Sequence, residues 1–492
     1  MFASVTSVAL IGVEPQPVRV EVHTAGPGQR FTIVGLPDAA VREARERVRA
    51  ALASCGFRIR SSAITVNLSP ADLPKAGSAY DLPIALGLLA ANGTVGPDEV
   101  DVVALGELAL DGRIRPVVGG LGAGLVAARA GKRCLLADGA TDAWASGADV
   151  LTVSDLAEAV AALRGEPVGR RPARPSPRTG HVPDLSAVRG QTEARRALEV
   201  TAAGGHHLLM TGAPGAGKTI LARCLPGIMP RLGDGEALEV ALAWGAAGLD
   251  RGSDPTPPFR SPHHTATMAA ILGGGSGIPV PGEITLAHKG VLFLDELGEF
   301  PTHLLDGLRQ PAEEGSIVVA RKGSSVRFPS RFQLVAATNP CPCGYRDDWL
   351  MECRCTDNAI DRYRRRFSGP LLDRIDLRVH MRRLDPDDLV GPPGESSADV
   401  LGRVHAARKR QAVRRMLNRD LDRPALDALA WEPAAERRLS TAVVDYRMTA
   451  RGWERVSPAI PSPSWGEAAT GRSLPSDVTR CGSRAAPPPC ST

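Results

Sequence analysis

The chain holds 492 residues, with 59 Lys plus Arg against 54 Asp plus Glu, a formal charge of +5 and 43% apolar side chains. That length allows about three or four domains, and ordinary apolar content with abundant glycine and proline describes a turn-rich globular protein. Only six of the basic residues are lysine, and the arginine excess runs through the whole chain, so charge alone is weak evidence for a nucleic-acid partner.

The nine cysteines are not spaced as a disulfide framework, since four lie together at Cys341, Cys343, Cys353 and Cys355, which favours a reducing compartment. The N-terminus lacks the basic region and long apolar core of a signal peptide, and no run of about 18 apolar residues exists to cross a membrane. A cytoplasmic location is expected.

Residues 1–165 alternate between strand and helix signals. Ser7–Val13, Val18–Val22, Phe31–Val34, Ala63–Asn67, Val102–Ala104 and Cys134–Ala137 have strand character. Asp38 is placed to cap a helix that turns Val41, Ala44, Val48 and Leu52 to one side. Asp81–Ala91 and Leu121–Ala130 are apolar helix candidates. These spans predict a separate α/β domain. Residues 166–184, rich in Pro and Arg and without an apolar period, read as a semi-rigid solvated linker.

The apolar run ending at Met210 predicts a buried strand. It feeds Gly212-Ala213-Pro214-Gly215-Ala216-Gly217-Lys218-Thr219, the G-x-x-x-x-G-K-T phosphate loop, and a helix carrying Ile220, Leu221 and Leu225. Glycines let successive N–H groups face phosphate oxygens, and the helix N-terminus adds its positive dipole end. Lys218 is expected to reach the β- and γ-phosphates of ATP, and Thr219 to offer a hydroxyl to Mg²⁺. About 70 residues follow before the next signature, among them His263 and His264, for which packing or loop roles are expected rather than a metal. Val291–Leu294 then predicts a second buried strand ending in Asp295 and Glu296. Asp295 is expected to help hold Mg²⁺ and Glu296 to polarise the attacking water. A third apolar strand, Phe332–Ala337, runs into Thr338 and Asn339. Beyond it, C-x-C-x₉-C-x-C places Cys341, Cys343, Cys353 and Cys355 on two short knuckles. Four thiolates there can build a structural Zn²⁺ site, with reduced thiols in a surface loop as the alternative.

Phe31-Thr32-Ile33-Val34-Gly35-Leu36-Pro37-Asp38 and Asp81-Leu82-Pro83-Ile84-Ala85-Leu86, together with the motifs above, resemble the YifB/ComM family of magnesium-chelatase-like AAA+ ATPases. The resemblance covers residues 1–456. It implies a Lon-protease-like (ChlI-type) α/β domain at 1–165, a P-loop AAA+ parallel-sheet core at 185–383, and a helical lid at 384–456. Peptidase chemistry is not expected: Ala79 stands where a nucleophile would be, Gly122-Ala123-Gly124 replaces a lysine segment, and Ser78 and Lys75 lie off register. The resemblance also implies sensor 1 at Asn339, an arginine finger at Arg374, a sensor-2 arginine at Arg451 and a hexameric ring. For Arg374 an ion pair with Asp373 or Asp376 is the alternative.

After Val456 the match stops, and residues 457–492 are Pro-, Ser- and Gly-rich with no apolar period, which predicts a disordered, non-family tail and an incomplete lid. The expectation is that the reading frame or the gene has been altered after Val456. Resequencing that finds an intact frame and no nearby helix-coding alternative overturns it. Three functions fit the motifs: a DNA motor resembling ComM-type branch-migration helicases that act on incoming DNA, a chelatase-like remodeller of a protein partner, or a truncated nucleotide-binding product without turnover.

Overall fold

The computed structural model describes residues 1–428 except 27, 29, 60–62, 97, 173–181, 252–253, 276–277, 322–323, 347 and 368–370, and adds 433 and 437. The predicted helix Ala434–Met448, Arg451 and the tail at 457–492 therefore lie outside the described residues, as do Ser368, Gly369 and Pro370.

The N-terminal part is a mixed seven-stranded sheet. Its strands are β1 (Phe2–Ile11), β2 (Glu14–Ala25), β3 (Phe31–Val34), β4 (Ala63–Ser69), β5 (Val102–Leu105), and, after the short ribbon of β6 (Glu107–Leu108) and β7 (Ile114–Arg115), β8 (Arg133–Ala137) and β9 (Val150–Val153). The order across the sheet is β3-β4-β2-β1-β5-β8-β9. Where short strands are predicted at Ser7–Val13 and Val18–Val22, the structure has one long antiparallel hairpin, paired from Phe2 with His23 to Ile11 with Glu14. Pro15 and Pro17 both lie within β2 and precede Arg19, where β4 begins to pair. Their missing N–H groups fall on an open edge and interrupt no ladder. Helix α1 (Ala39–Ser54) starts as its cap predicts, with Asp38 Oδ1 accepting from the Val41 N–H at 2.8 Å and Val41, Ala44, Val48 and Leu52 buried. Helices α2 (Asp81–Ala91) and α3 (Gly120–Ala130) cover the sheet, and α4 (Leu156–Leu163) closes the region.

The second part is a parallel five-stranded sheet in the order β11-β12-β15-β10-β16. Its strands are β10 (Leu208–Gly212), β11 (Phe259–Arg260), β12 (Val291–Leu294), β15 (Gln333–Thr338) and β16 (Leu377–Met381), while β13 (Ser316–Arg321) and β14 (Ser324–Pro329) form a separate hairpin. Because both faces are covered, each strand is a near-continuous apolar run, and the alternation of side chains sorts that run into two cores. Leu208, Met210, Val291, Phe293, Val335 and Ala337 face one side, where α5 (Thr192–Gly204), α6 (Lys218–Ile228) and the helix Ser397–Val413 pack. Leu209, Leu292, Leu294, Leu334 and Ala336 face the other, with Ile271, Ile284, Leu304 and Leu305.

The two sheets meet at the β1–β2 turn. Ile11 and Val13 pack on Val319, Val326 and Phe328 of the β13–β14 hairpin, and Gly12 sits at φ +65°, where an added Cβ would lie 2.5 Å from Val326 Cγ1.

The helix Ser397–Val413 is fastened to α5 by charge as well as by Val400, Val404 and Ala407. Arg403 forks onto Glu199 at 2.8 and 3.0 Å, and Arg196 reaches the same carboxylate at 2.9 Å. Burial pushes the Glu199 carboxyl up, but the Arg403 hydrogen bonds and both guanidinium charges outweigh it and hold it below its ordinary value. That stabilisation is complete above the ordinary glutamate range and fades as pH falls through the lowered value. Arg403→Met is expected to lower stability by about 1–2 kcal/mol, less than for a fully buried pair because Arg196 remains. Chemical denaturation at neutral pH and at pH 4 checks this, with the larger loss expected at neutral pH.

Candidate active site

Between β10 and α6 the chain must reverse within five residues. Gly215 and Gly217 take φ of +79° and +89°, a region L side chains seldom adopt, and Gly212 lies so close to β16 that a Cβ would stand 2.2 Å from the Met381 carbonyl oxygen. Ala213, Pro214 and Ala216 complete the turn. The first N–H groups of α6 have no helical partner and open into this loop, an anion-binding arrangement.

Lys218, the first residue of α6, is 9% exposed. Its ammonium donates to the Gly212 carbonyl at 2.6 Å, the Ala213 carbonyl at 3.0 Å and Asn339 Oδ1 at 3.2 Å. Burial draws the lysine below its ordinary value, while the charges of Asp295 and Glu296 act to hold its proton. Thr219 Oγ1 donates to Asp295 Oδ2 at 2.7 Å, and Asp295 Oδ1 accepts from the Glu296 N–H at 3.0 Å. Lys218, Thr219, Asp295 and Asn339 thus meet where the parallel strands β10, β12 and β15 end. The carboxylate and hydroxyl are hard oxygen donors, a set that fits Mg²⁺. Gln191 brackets the loop from behind, donating to the Ala216 carbonyl at 3.0 Å and the Arg382 carbonyl at 2.7 Å.

Glu296 sits at φ +51°, which turns its side chain out of the strand. There it meets a residue that sequence reasoning left to packing: His264 Nδ1 stands 3.5 Å from Glu296 Oε2. The His264 ring is itself steadied by the His263 ring at 4.1 Å and the edge of Phe300 at 6.3 Å. The signal was hidden because His264 follows β11 by four residues, and only the pairing of β11 with β12 brings it to the strand end.

Arg374 stands elsewhere. It precedes β16, whose far end pairs Met381 with Gly212, so it lies beyond the opposite end of a strand whose four residue steps alone span roughly 13 Å. Arg374 is paired there with Glu313, not with Asp373 or Asp376. Asp376 serves the sheet instead, accepting from the His207 N–H at 2.8 Å. Arg451 lies outside the described residues.

In the N-terminal sheet the Lys75 ammonium donates to the Pro70 carbonyl and the Ser78 hydroxyl to Glu107, so these two side chains are engaged with other partners. Cys341, Cys343, Cys353 and Cys355 do come together, their sulfurs all within 4.8 Å of one another. Among the described residues no helix is long and apolar enough to cross a membrane.

Residues 184–389 match the family model described as magnesium chelatase, subunit ChlI; residues 20–139 match subunit ChlI of Mg-chelatase; and residues 394–458 match the C-terminal part of ChlI. The chain is 42% identical over 460 residues to the uncharacterized protein YifB of Escherichia coli (strain K12), covering 91% of this chain and 90% of that one. It is 42% identical over 430 residues to the competence protein ComM of Haemophilus influenzae, covering 84% and 83%. It is also 30% identical over 174 residues to the magnesium-chelatase 38 kDa subunit of Cereibacter sphaeroides, covering 32% and 52%.

His264→Ala removes the ring that fixes the glutamate. With Glu296 expected to activate the attacking water, nucleotide affinity should stay within about twofold while turnover falls roughly tenfold, since that carboxylate would lose its orientation but the loop is untouched. Equilibrium binding beside steady-state turnover checks this, and a parallel fall in both would place His264 in nucleotide binding instead.

Proposed function

Because the chain belongs to the YifB/ComM family of magnesium-chelatase-like AAA+ ATPases, we propose that it is an ATP-hydrolysing ring motor acting on DNA. The observation that carries the ATPase reading is the shared cleft of Lys218, Thr219, Asp295 and Asn339 at the end of a parallel sheet. In this reading the loop N–H groups and Lys218 bind the β- and γ-phosphates, and Thr219 with Asp295 holds Mg²⁺. The bound ion would offset negative charge building on the transferred phosphoryl group. Glu296, steadied by His264, takes the proton of the attacking water, and Asn339 orients that water against the γ-phosphate.

Arg374 cannot reach its own chain's loop across the sheet, so its role as a finger requires a neighbouring copy. This supports a ring in which each site is completed by the next subunit. DNA is favoured as the cargo by the high identity to a competence protein across most of both chains, competence being the uptake of DNA. The helix Asp357–Phe367 adds a positive face, with Arg362, Arg364, Arg365 and Arg366 all exposed. The shorter match to a magnesium-chelatase subunit favours a second reading, a remodeller of a protein partner.

Steady-state ATPase of the full chain with and without forked DNA separates these readings. The DNA motor predicts stimulation that weakens steeply as salt rises. No stimulation supports the protein remodeller, and nucleotide binding without turnover in either condition points to an inactive product. Lys218→Ala is expected to lose nucleotide binding, and Glu296→Gln to keep it while losing hydrolysis. Mixing Lys218→Ala with Arg374→Ala, each alone reduced by roughly 10³-fold or more, should restore measurable turnover if the arginine acts in trans. Failure of the mixture to exceed its components removes that role.

A further inference from the structure

We propose that Cys341, Cys343, Cys353 and Cys355 hold one structural Zn²⁺, and that this knot seats the phosphate loop against Asn339. The sulfur geometry carries the first half. Cys341 Sγ lies 3.4 Å from Cys343 Sγ and 3.7 Å from Cys353 Sγ, and Cys343 Sγ lies 3.6 Å from Cys353 Sγ. A disulfide would need about 2.05 Å. A tetrahedron of sulfurs around zinc at about 2.3 Å has edges of about 3.8 Å, close to these separations. Four soft thiolates select zinc over the hard cations that carboxylates and hydroxyls take. With all four positions filled by protein, no coordination site is left for chemistry, so the role is structural.

The segment between the outer cysteines shows why a tie is needed. The described residues of 341–355 contain no helix or strand, and the large apolar side chains Trp349, Leu350 and Met351 are 57%, 59% and 46% exposed. Such a loop has no core of its own to hold it closed. Its other fastening is Asp348, which caps the Leu350 and Met351 N–H groups and pairs with Arg383 at 2.9 Å, just past β16.

The second half follows from where the knot rests. Cys341 is two residues beyond Asn339. Gly344, at φ +85°, lies flat on the phosphate loop: an added Cβ would stand 2.7 Å from Pro214 Cδ and 3.7 Å from Asn339 Cγ. Holding the four sulfurs together therefore presses Gly344 onto Pro214 and fixes the distance from the loop to Asn339. This consequence rests on the ATPase reading, whereas metal binding does not.

The test uses the purified full chain. About one zinc per chain is expected by elemental analysis of the wild type and of Lys218→Ala, and far less for Cys353→Ser and Cys355→Ser. Exchange with Co²⁺ should give the thiolate-to-cobalt charge-transfer and visible bands of a tetrahedral tetrathiolate site. Cys353→Ser should weaken binding of a fluorescent ATP analogue roughly tenfold. Gly344→Val, which keeps the ligands but crowds Pro214, should retain zinc and show a similar loss. Absence of zinc, an octahedral cobalt spectrum, or four thiols that titrate as two disulfides overturns the site. Zinc loss with unchanged nucleotide affinity overturns the seating role. A wild type that carries zinc but binds no nucleotide defeats the ATPase reading and leaves the metal site standing.

Discussion

A lysine ammonium held almost wholly out of water is the constraint on which this structure turns. Lys218 is 9% exposed, and an ammonium so placed is costly unless oxygens surround it. The chain supplies three: the carbonyls of Gly212 and Ala213 from the loop, and Asn339 Oδ1 from the end of the neighbouring strand. Satisfying that charge requires glycine conformations in the loop, β15 beside β10, and the two carboxylates that follow β12 within electrostatic reach. Each of these is also what a triphosphate site needs, so the same residues that lower the cost of burial arrange the chemistry.

The parallel sheet divides labour between its two edges. At the C-terminal edge the strands release Lys218, Asp295 and Asn339 into the cleft. The N-terminal edge is sewn shut by the paired histidines before β10: the His207 N–H donates to Asp376, and His207 Nδ1 accepts from the Leu334 N–H at 2.8 Å. Burial acts to raise the Asp376 carboxyl, but the His206 ring 3.5 Å away and the His207 N–H that it accepts hold it below its ordinary value. Arg374 emerges beside this closed edge, at the opposite end of β16 from its own chain's phosphate loop. The geometry that stabilises one subunit is thus the geometry that makes a second one necessary in the proposed ring.

The N-terminal sheet is tied to the second part of the chain at its β1–β2 turn. Its β1–β2 turn grips the β13–β14 hairpin, which lies in the chain between the strand bearing Asp295 and the strand leading to Asn339. Gly12 has no room for a side chain there, so the contact is close and shape-specific. Thr141 and Asp250 add a polar contact at 3.0 Å.

The sequence by itself determined whatever depends on local chemistry. The phosphate loop, the apolar strands with Asp295 and Glu296 at one tip and Asn339 at another, and the Asp38 cap were all legible, because glycine freedom, period-two burial and capping act within a few residues. The sequence also marked the four cysteines, since their spacing is local, though not that their sulfurs meet. Tertiary structure alone decided the rest. Pro15 and Pro17 fit a long strand only because the sheet leaves that edge open. His264 reaches Glu296 only because β11 pairs with β12, and Gly344 matters only because a distant proline lies beneath it. Arg374 chose Glu313 over its sequence neighbours for the same reason: contacts between residues far apart in the chain are set by how strands are ordered, which no local pattern encodes.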